Sequence, residues 1–329
     1  RIIRFAVACV GHLPGGLAIA GVFACMLFAA LSGSSPATVV AVGSIVIAGM
    51  TQVGYPKEFG AGVVCNAGTL GILLPPSIVM VVYAATVDVS VGRMFLAGVI
   101  PGIIAGLMLM IAIYGYARWK NLARGEWAGW REIGRSGADA FWGLMLIVII
   151  MVGIYGGFFT PIEAAGMGAA AAVLIAGVVG GLSLRGLWDA LLEAGIASAM
   201  IFAIIIGAEI FSNFITFAGL PDHLYDVVDN LGLGPWEVII VIVLIYMALG
   251  AVLESLSMIL LTVPIFYPLV SQLDFGTGLL GDPNNILIWF AVIVVVSTEI
   301  SLITPPVGMN VFVLRSVLTD VPLSTMFRG

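Results

Sequence analysis

The sequence predicts an all-α polytopic membrane protein with two repeats, each a re-entrant hairpin followed by a discontinuous transmembrane helix. Three observations predict it. Hydrophobic residues are 61% of the chain and charged residues only 9%, whereas soluble domains carry roughly a quarter charged residues; mean hydropathy is +1.20. The break Leu31-Ser32-Gly33-Ser34-Ser35-Pro36 divides two apolar runs. A helical run closed by Pro-Pro occurs near each end of the chain, at Pro75-Pro76 and Pro305-Pro306.

Taken in order, Arg1 to Leu13 reads as the end of an interfacial helix, broken by Pro14-Gly15-Gly16. The opening Arg1-Ile2-Ile3-Arg4 reads as a truncated start and not as a signal peptide. The runs Leu17 to Leu31 and Ala37 to Met50 follow. A helix of about fifteen residues covers ~22 Å, short of the ~30 Å hydrocarbon core. The pair therefore reads as a hairpin whose tip stops inside the protein, where bare helix ends can hold ions or anions. Lys57 to Val87 reads as one helix interrupted at Pro75-Pro76-Ser77, because two prolines remove donors and break the helix. Met94 to Trp119 is a span with a kink expected at Pro101.

Residues 118 to 135 read as a polar loop. It holds Arg118, Lys120, Arg124, Arg131 and Arg135 against Glu126 and Glu132, which places it in the cytoplasm by the positive-inside rule. Trp119, Trp127, Trp130 and Trp142 suit interfacial anchors beside it. Ala138 to Gly156, Pro161 to Leu182 and Leu187 to Phe217 read as spans, and Pro221 to Asn230 as an amphipathic surface helix. Trp236 to Leu253 and Met258 to Val270, parted by Glu254-Ser255-Leu256-Ser257, form a second hairpin. A polar turn, Asp274 to Asn285, leads to Ile286 to Ile303, the break Thr304-Pro305-Pro306, and Val307 to Leu318. The expected organisation is a first repeat over 1–117, the basic loop 118–135, connecting scaffold helices over 136–187, and a second repeat over 188–329. Two broken segments in corresponding positions of two halves point to a secondary-transporter site. Inversion of the repeats would bring both tips and both breaks together; hydropathy shows repetition only.

Motifs of other function classes are absent from the sequence: no Walker A, no His-Glu-x-x-His, no Gly-x-Ser-x-Gly. Cys9, Cys25 and Cys65 have neither disulfide nor zinc spacing. The net charge of −6 comes with no acidic or basic tail, and no nucleic-acid partner is expected. Gly33, Ser34 and Ser35, with Gly68, Thr69 and Pro75 at the first break, are either oxygen ligands for Na⁺ or a tight turn with helix caps. The repeat favours the ion role. Ser255, Ser257, Thr298, Ser301 and Thr304 form the matching set, with interhelical hydrogen bonding as the other reading. Glu254 and Glu299 lie beside the second tip and break and are the better coupling carboxylates; Glu163 can simply begin a helix, and Glu209 can bond a neighbouring helix. Arg315 either binds a substrate carboxylate or snorkels to the interface.

The segments Gly11-His12-Leu13-Pro14-Gly15-Gly16-Leu17, Ser32-Gly33-Ser34-Ser35, Gly54-Tyr55, Leu70 to Ser77, Ala97 to Gly102 and Thr304 to Gly308 resemble, in order, the large membrane subunit of tripartite ATP-independent periplasmic (TRAP) transporters. The resemblance implies a Na⁺-driven elevator-type importer of carboxylate-bearing organic acids, in the bacterial inner membrane. It implies a periplasmic substrate-binding protein and a small membrane subunit as partners, Na⁺ as coupling ion with no other cofactor, and no enzymatic activity. With it Ser35, Pro76, Ser77, Pro306 and Arg315 become the expected substrate contacts. Two positions depart from the family pattern, Glu254 for its Asp and Ser301 for its Gly, and the family has further membrane segments before Gly11. The alternatives from other classes are an intramembrane hydrolase using Ser34 or Ser35 and a gradient-indifferent channel.

Overall fold

A computed structural model of the chain describes residues 1–276, 278, 282–318 and 321–327. Every element among them is helical. A short α1 (Ile2–Val10) packs on the first hairpin, α2 (Gly16–Ser32) and α3 (Ser35–Gln52). The broken helix follows as α4 (Lys57–Leu73) and α5 (Ile78–Thr86), bent by 42° at the break. Next come α6 (Val91–Trp119), α7 (Gly129–Tyr155), α8 (Pro161–Val178) and the 34-residue α9 (Leu184–Phe217). The second half is α10 (Leu220–Asn230), α11 (Pro235–Gly250), α12 (Ser255–Ser271), α13 (Pro283–Ser301), α14 (Met309–Val317) and α15 (Leu323–Met326). Six of these helices are long and apolar enough to cross a membrane, or seven with the bent pair counted as one span. The chain is a multi-pass membrane protein.

Three bounds differ from the sequence expectation. The arms α2 and α3 have 17 and 18 residues, because the tip serines join the helices, and Ser35–Gln52 is long enough to cross on its own. The basic segment is a loop only over 120–128: Arg118 and Trp119 end α6, and Gly129 to Arg135 are the first turns of α7. Its polar side chains hide a helical start from a hydropathy reading. The span expected over Met94 to Trp119 is one helix, α6, which runs through Pro101. Part of the turn expected over 274–285 falls outside the described residues.

The two cores are reciprocal. One gathers α2, α3 and α4 and is completed by Val311 and Leu314 of α14. The other gathers α11, α12 and α13 and is completed by Val79, Met80, Tyr83 and Ala84 of α5. Each half-helix beyond a break thus packs into the other repeat: α14 on α3, and α5 on α12. Close approach needs small residues. A Cβ on Gly43 of α3 would lie 3.2 Å from Leu314 Cδ1, and one on Gly71 of α4 would lie 2.9 Å from Ala29 Cβ. By contrast α7, α8 and α9 turn large apolar side chains outward, Ile162, Val178 and Phe217 among them, as helices do that face hydrocarbon.

Candidate functional site

The first tip is made by Gly33 in the left-handed region (φ 61°) and Ser34 in extended backbone (ψ 124°), which turns α2 directly into α3. Thr38 Oγ1 donates to Ser34 O at 2.9 Å and lies 3.0 Å from Ser32 Oγ, so the tip is braced by its own hydroxyls. The tip sits against the first break. A Cβ on Gly33 would be 3.2 Å from Ile78 N and 3.3 Å from Pro76 O. Gly68, nearly two turns before the break, lets α4 approach the start of α3: a Cβ there would be 2.3 Å from Val39 Cγ2 and 3.5 Å from Ser35 O. Thr69 Oγ1 turns back to Asn66 O. Ser77 caps α5, accepting from Met80 N at 3.4 Å. Pro75 and Ser77 are buried and Pro76 half-buried.

The second half repeats this assembly with different contacts. Gly308 N donates to Ala251 O at 3.4 Å, joining the second break to the second tip. At Gly250 a Cβ would fall 1.8 Å from Ser301 Oγ, so only hydrogen fits there. Glu254 is the N-cap of α12, its Oε2 accepting from Leu256 N at 2.9 Å and Ser257 N at 3.2 Å. A carboxylate suits that end of the helix dipole. Thr298, Ser301 and Thr304 bond back to Val294 O, Thr298 O and Ile300 O. Ser255 is buried, Pro305 and Pro306 are exposed, and both Pro-Pro peptides are cis.

A buried hydrogen bond ties the first tip to the second broken helix. Ser35 Oγ at the first tip donates to Glu299 Oε2 at 2.8 Å, and both residues are buried. Among the described residues Glu299 Oε1 is buried with no hydrogen-bond partner. The structure therefore sets each tip against its own break and ties the first tip to the second broken helix through the Glu299 carboxylate. Among the described residues no group of three or more His, Cys, Asp and Glu is placed to hold a metal. A cation here would rest on carbonyl, hydroxyl and amide oxygens, the donors hard alkali ions take.

Not every expected residue reaches this centre. Arg315 lies six positions along α14, and its Nη1 donates to Val321 O at 2.6 Å, tying down the C-terminal turn. Glu163 forms a capping box with Thr160 at the start of α8. Glu209 is exposed on α9, lining a groove of about 520 Å³ with Val81, Thr86, Val263 and Tyr267 of α5 and α12. Sequence reasoning missed Asn310, which is fully buried with both amide atoms unpaired, two positions after Gly308. A lone amide inside an apolar run was the signal, since such a group is costly to bury without purpose.

The family model described as "Tripartite ATP-independent periplasmic transporter, DctM component" matches residues 1–329. A C4-dicarboxylate TRAP transporter large permease protein DctM of Pseudomonas aeruginosa is 50% identical, over 100% of this chain and 75% of its own. Its namesake in Vibrio cholerae is 48% identical, over 96% and 72%. An isethionate TRAP transporter permease protein DctMQ of Oleidesulfovibrio alaskensis is 36% identical, over 96% of this chain and 49% of its own.

Proposed function

We propose, from the premise that this chain belongs to the DctM family of tripartite ATP-independent periplasmic transporters, that it couples Na⁺ entry to import of a small organic anion at the tip-and-break centre. Its relatives are permease subunits and not enzymes, which sets the hydrolase reading aside. The names of the nearer relatives point to a C4-dicarboxylate as cargo. Isethionate, named for a more distant one, is also a small organic anion. Sorting among such anions falls to the periplasmic binding protein, and a small membrane subunit completes the system in the bacterial inner membrane.

The observation that carries this reading is the Ser35–Glu299 hydrogen bond, which binds two sites 264 positions apart into one buried centre. Na⁺ ions take oxygens from the region of Gly33 to Ser35 and Gly68 to Pro75, and from Ser255, Ser257, Thr298 to Thr304 and Asn310. Glu299 Oε1, unpaired, is a ligand in waiting beside them. Bound cations offset the carboxylate of the cargo, which lies near Pro76, Ser77 and Pro306. Each ligand then favours the other, and the linkage is reciprocal. The reciprocal packing of α5 and α14 supports inverted repeats that move as one body against α7 to α9 in an elevator step.

The experiment is uptake into proteoliposomes holding the complete permease, with its small subunit and binding protein supplied. Saturable accumulation of a labelled C4-dicarboxylate that needs an inward Na⁺ gradient is expected. Uptake indifferent to Na⁺, or non-saturable flux, would replace coupled import by a channel.

A further inference from the structure

The motif Gly11 to Leu17 takes no part in the transport centre, yet the chain is built closely around it. Gly15 (φ 71°) brings the start of α2 against the end of α6, where a Cβ would lie 2.6 Å from Ala117 Cβ. The loop after α6 is strapped onto the same motif. Gly125 N donates to Gly11 O at 3.1 Å, Tyr55 Oη donates to Ala123 O, and Trp127 meets the His12 ring edge-on at 4.6 Å. The strap leaves a pocket of about 580 Å³ between Pro14 and the residues Arg118, Asn121, Leu122 and Arg124.

The pocket is cationic by default of partners. Among the described residues the ion pairs are those of Arg4, which takes up Glu132 and Asp139 at 2.7 and 3.4 Å. Arg118 makes only a 3.5 Å contact to Tyr114 Oη, and Lys120 lies over the Trp119 ring. Glu126 is the one acid left in the loop. The C-terminal carbonyls of α6 also face this end and oppose an anion. They amount to about half a charge, against two whole guanidinium charges.

A second feature runs into the pocket. The outer face of α6 exposes Ile100, Ile104, Leu107 and Ile111, a stripe at helical spacing, and then Tyr116 and Trp119. At the C-terminal end of α6 the apolar stripe gives way to aromatic and guanidinium groups, as the acyl chains of a phospholipid give way to its glycerol and phosphate.

We propose that this pocket seats the phosphate of an anionic phospholipid, with its acyl chains along α6. Arg118 and Arg124 hold the phosphate oxygens, and Asn121 borders the remainder of the headgroup. The lipid thereby joins the loop to the Pro14-Gly15 turn and fixes how α2, the entry arm of the first hairpin, leaves the surface. The inference goes beyond the transport reading and needs only that the chain sits in a bilayer.

The test is lipid retention by the full-length permease with its small subunit, released from nanodiscs of mixed phosphatidylglycerol and phosphatidylcholine and read by native mass spectrometry. The wild type is expected to keep phosphatidylglycerol in preference. Arg118→Gln/Arg124→Gln is expected to lower that retention ~25-fold, at about fivefold for each charge. Arg185→Gln, a basic residue exposed at the start of α9, leaves it unchanged. Arg124→Gln alone, which removes no hydrogen bond, gives about the fivefold step if the double variant does not fold. Full retention by Arg124→Gln or the double variant, equal retention of phosphatidylcholine, or displacement by millimolar inorganic phosphate would each overturn the proposal, the last in favour of a soluble anion.

Discussion

Ser35 and Glu299 hold the centre together through a single hydrogen bond between groups that hydrocarbon cannot solvate. Ser35→Ala removes the one donor and leaves both oxygens of Glu299 without a partner. Such a change costs about 1–3 kcal/mol when a buried acceptor is stranded, and thermal unfolding in detergent reads it directly. Combining Ser35→Ala with Glu299→Gln should recover part of the loss, because the two side chains share one interaction. Strictly additive losses would show that the contact contributes nothing. Gly250 gives a second expectation of the same size by a different route. Gly250→Ala drives a methyl into Ser301 Oγ, and overpacking of this kind costs roughly 1–3 kcal/mol. Gly115→Ala, in open space on α6, is the matched control and should leave unfolding unchanged or slightly later, since alanine favours the helix.

At the scale of the element, Glu254 separates two explanations of an intramembrane acid. Its Oε2 receives two N–H groups at the start of α12. A glutamine keeps an acceptor oxygen there, and an alanine keeps none. Glu254→Gln is therefore expected to fold and to accumulate cargo near the wild-type level. Glu254→Ala is expected to lose ~1–2 kcal/mol of stability, as other lost caps do. Loss of Na⁺-driven uptake in a well-folded Glu254→Gln protein would mean that its charge serves coupling. The elements themselves were legible before any coordinates, because a run of apolar residues ended by Pro-Pro or by Ser-Gly-Ser-Ser has few foldings open to it. What hydropathy could not carry was partnership. Nothing in the runs near Ser35 names Glu299, and nothing in the apolar run holding Arg315 says that its guanidinium turns to Val321 O. Gly129 to Arg135 escaped notice as a helix because Arg131, Glu132 and Arg135 interrupt its apolar pattern. Asn310 escaped because a single amide leaves the period of its helix intact.

Across the whole molecule, the described helices differ in how they are covered, and that difference bears on motion. The tips and breaks interlock through reciprocal cores, whereas α9 meets the rest along a groove with Ile205, Glu209 and Ser212 on one wall and Val82, Tyr267 and Pro268 on the other. Close-packed cores resist sliding, and an incompletely filled interface does not. If α5 and α12 travel together past α9, joining the walls must stop transport, while joining parts of the travelling body must not. A thiol cross-linker applied to Ser212→Cys/Tyr267→Cys, with Cys9, Cys25 and Cys65 replaced, is expected to bring uptake to background while leaving cargo and Na⁺ binding intact. The same reagent placed between α3 and α14, as in Ala41→Cys/Phe312→Cys, is expected to leave uptake largely unaffected wherever the link forms. Full uptake by the permease linked across the groove would show that α9 moves with the transport centre, and the boundary of the moving body would then have to lie at α7 and α8.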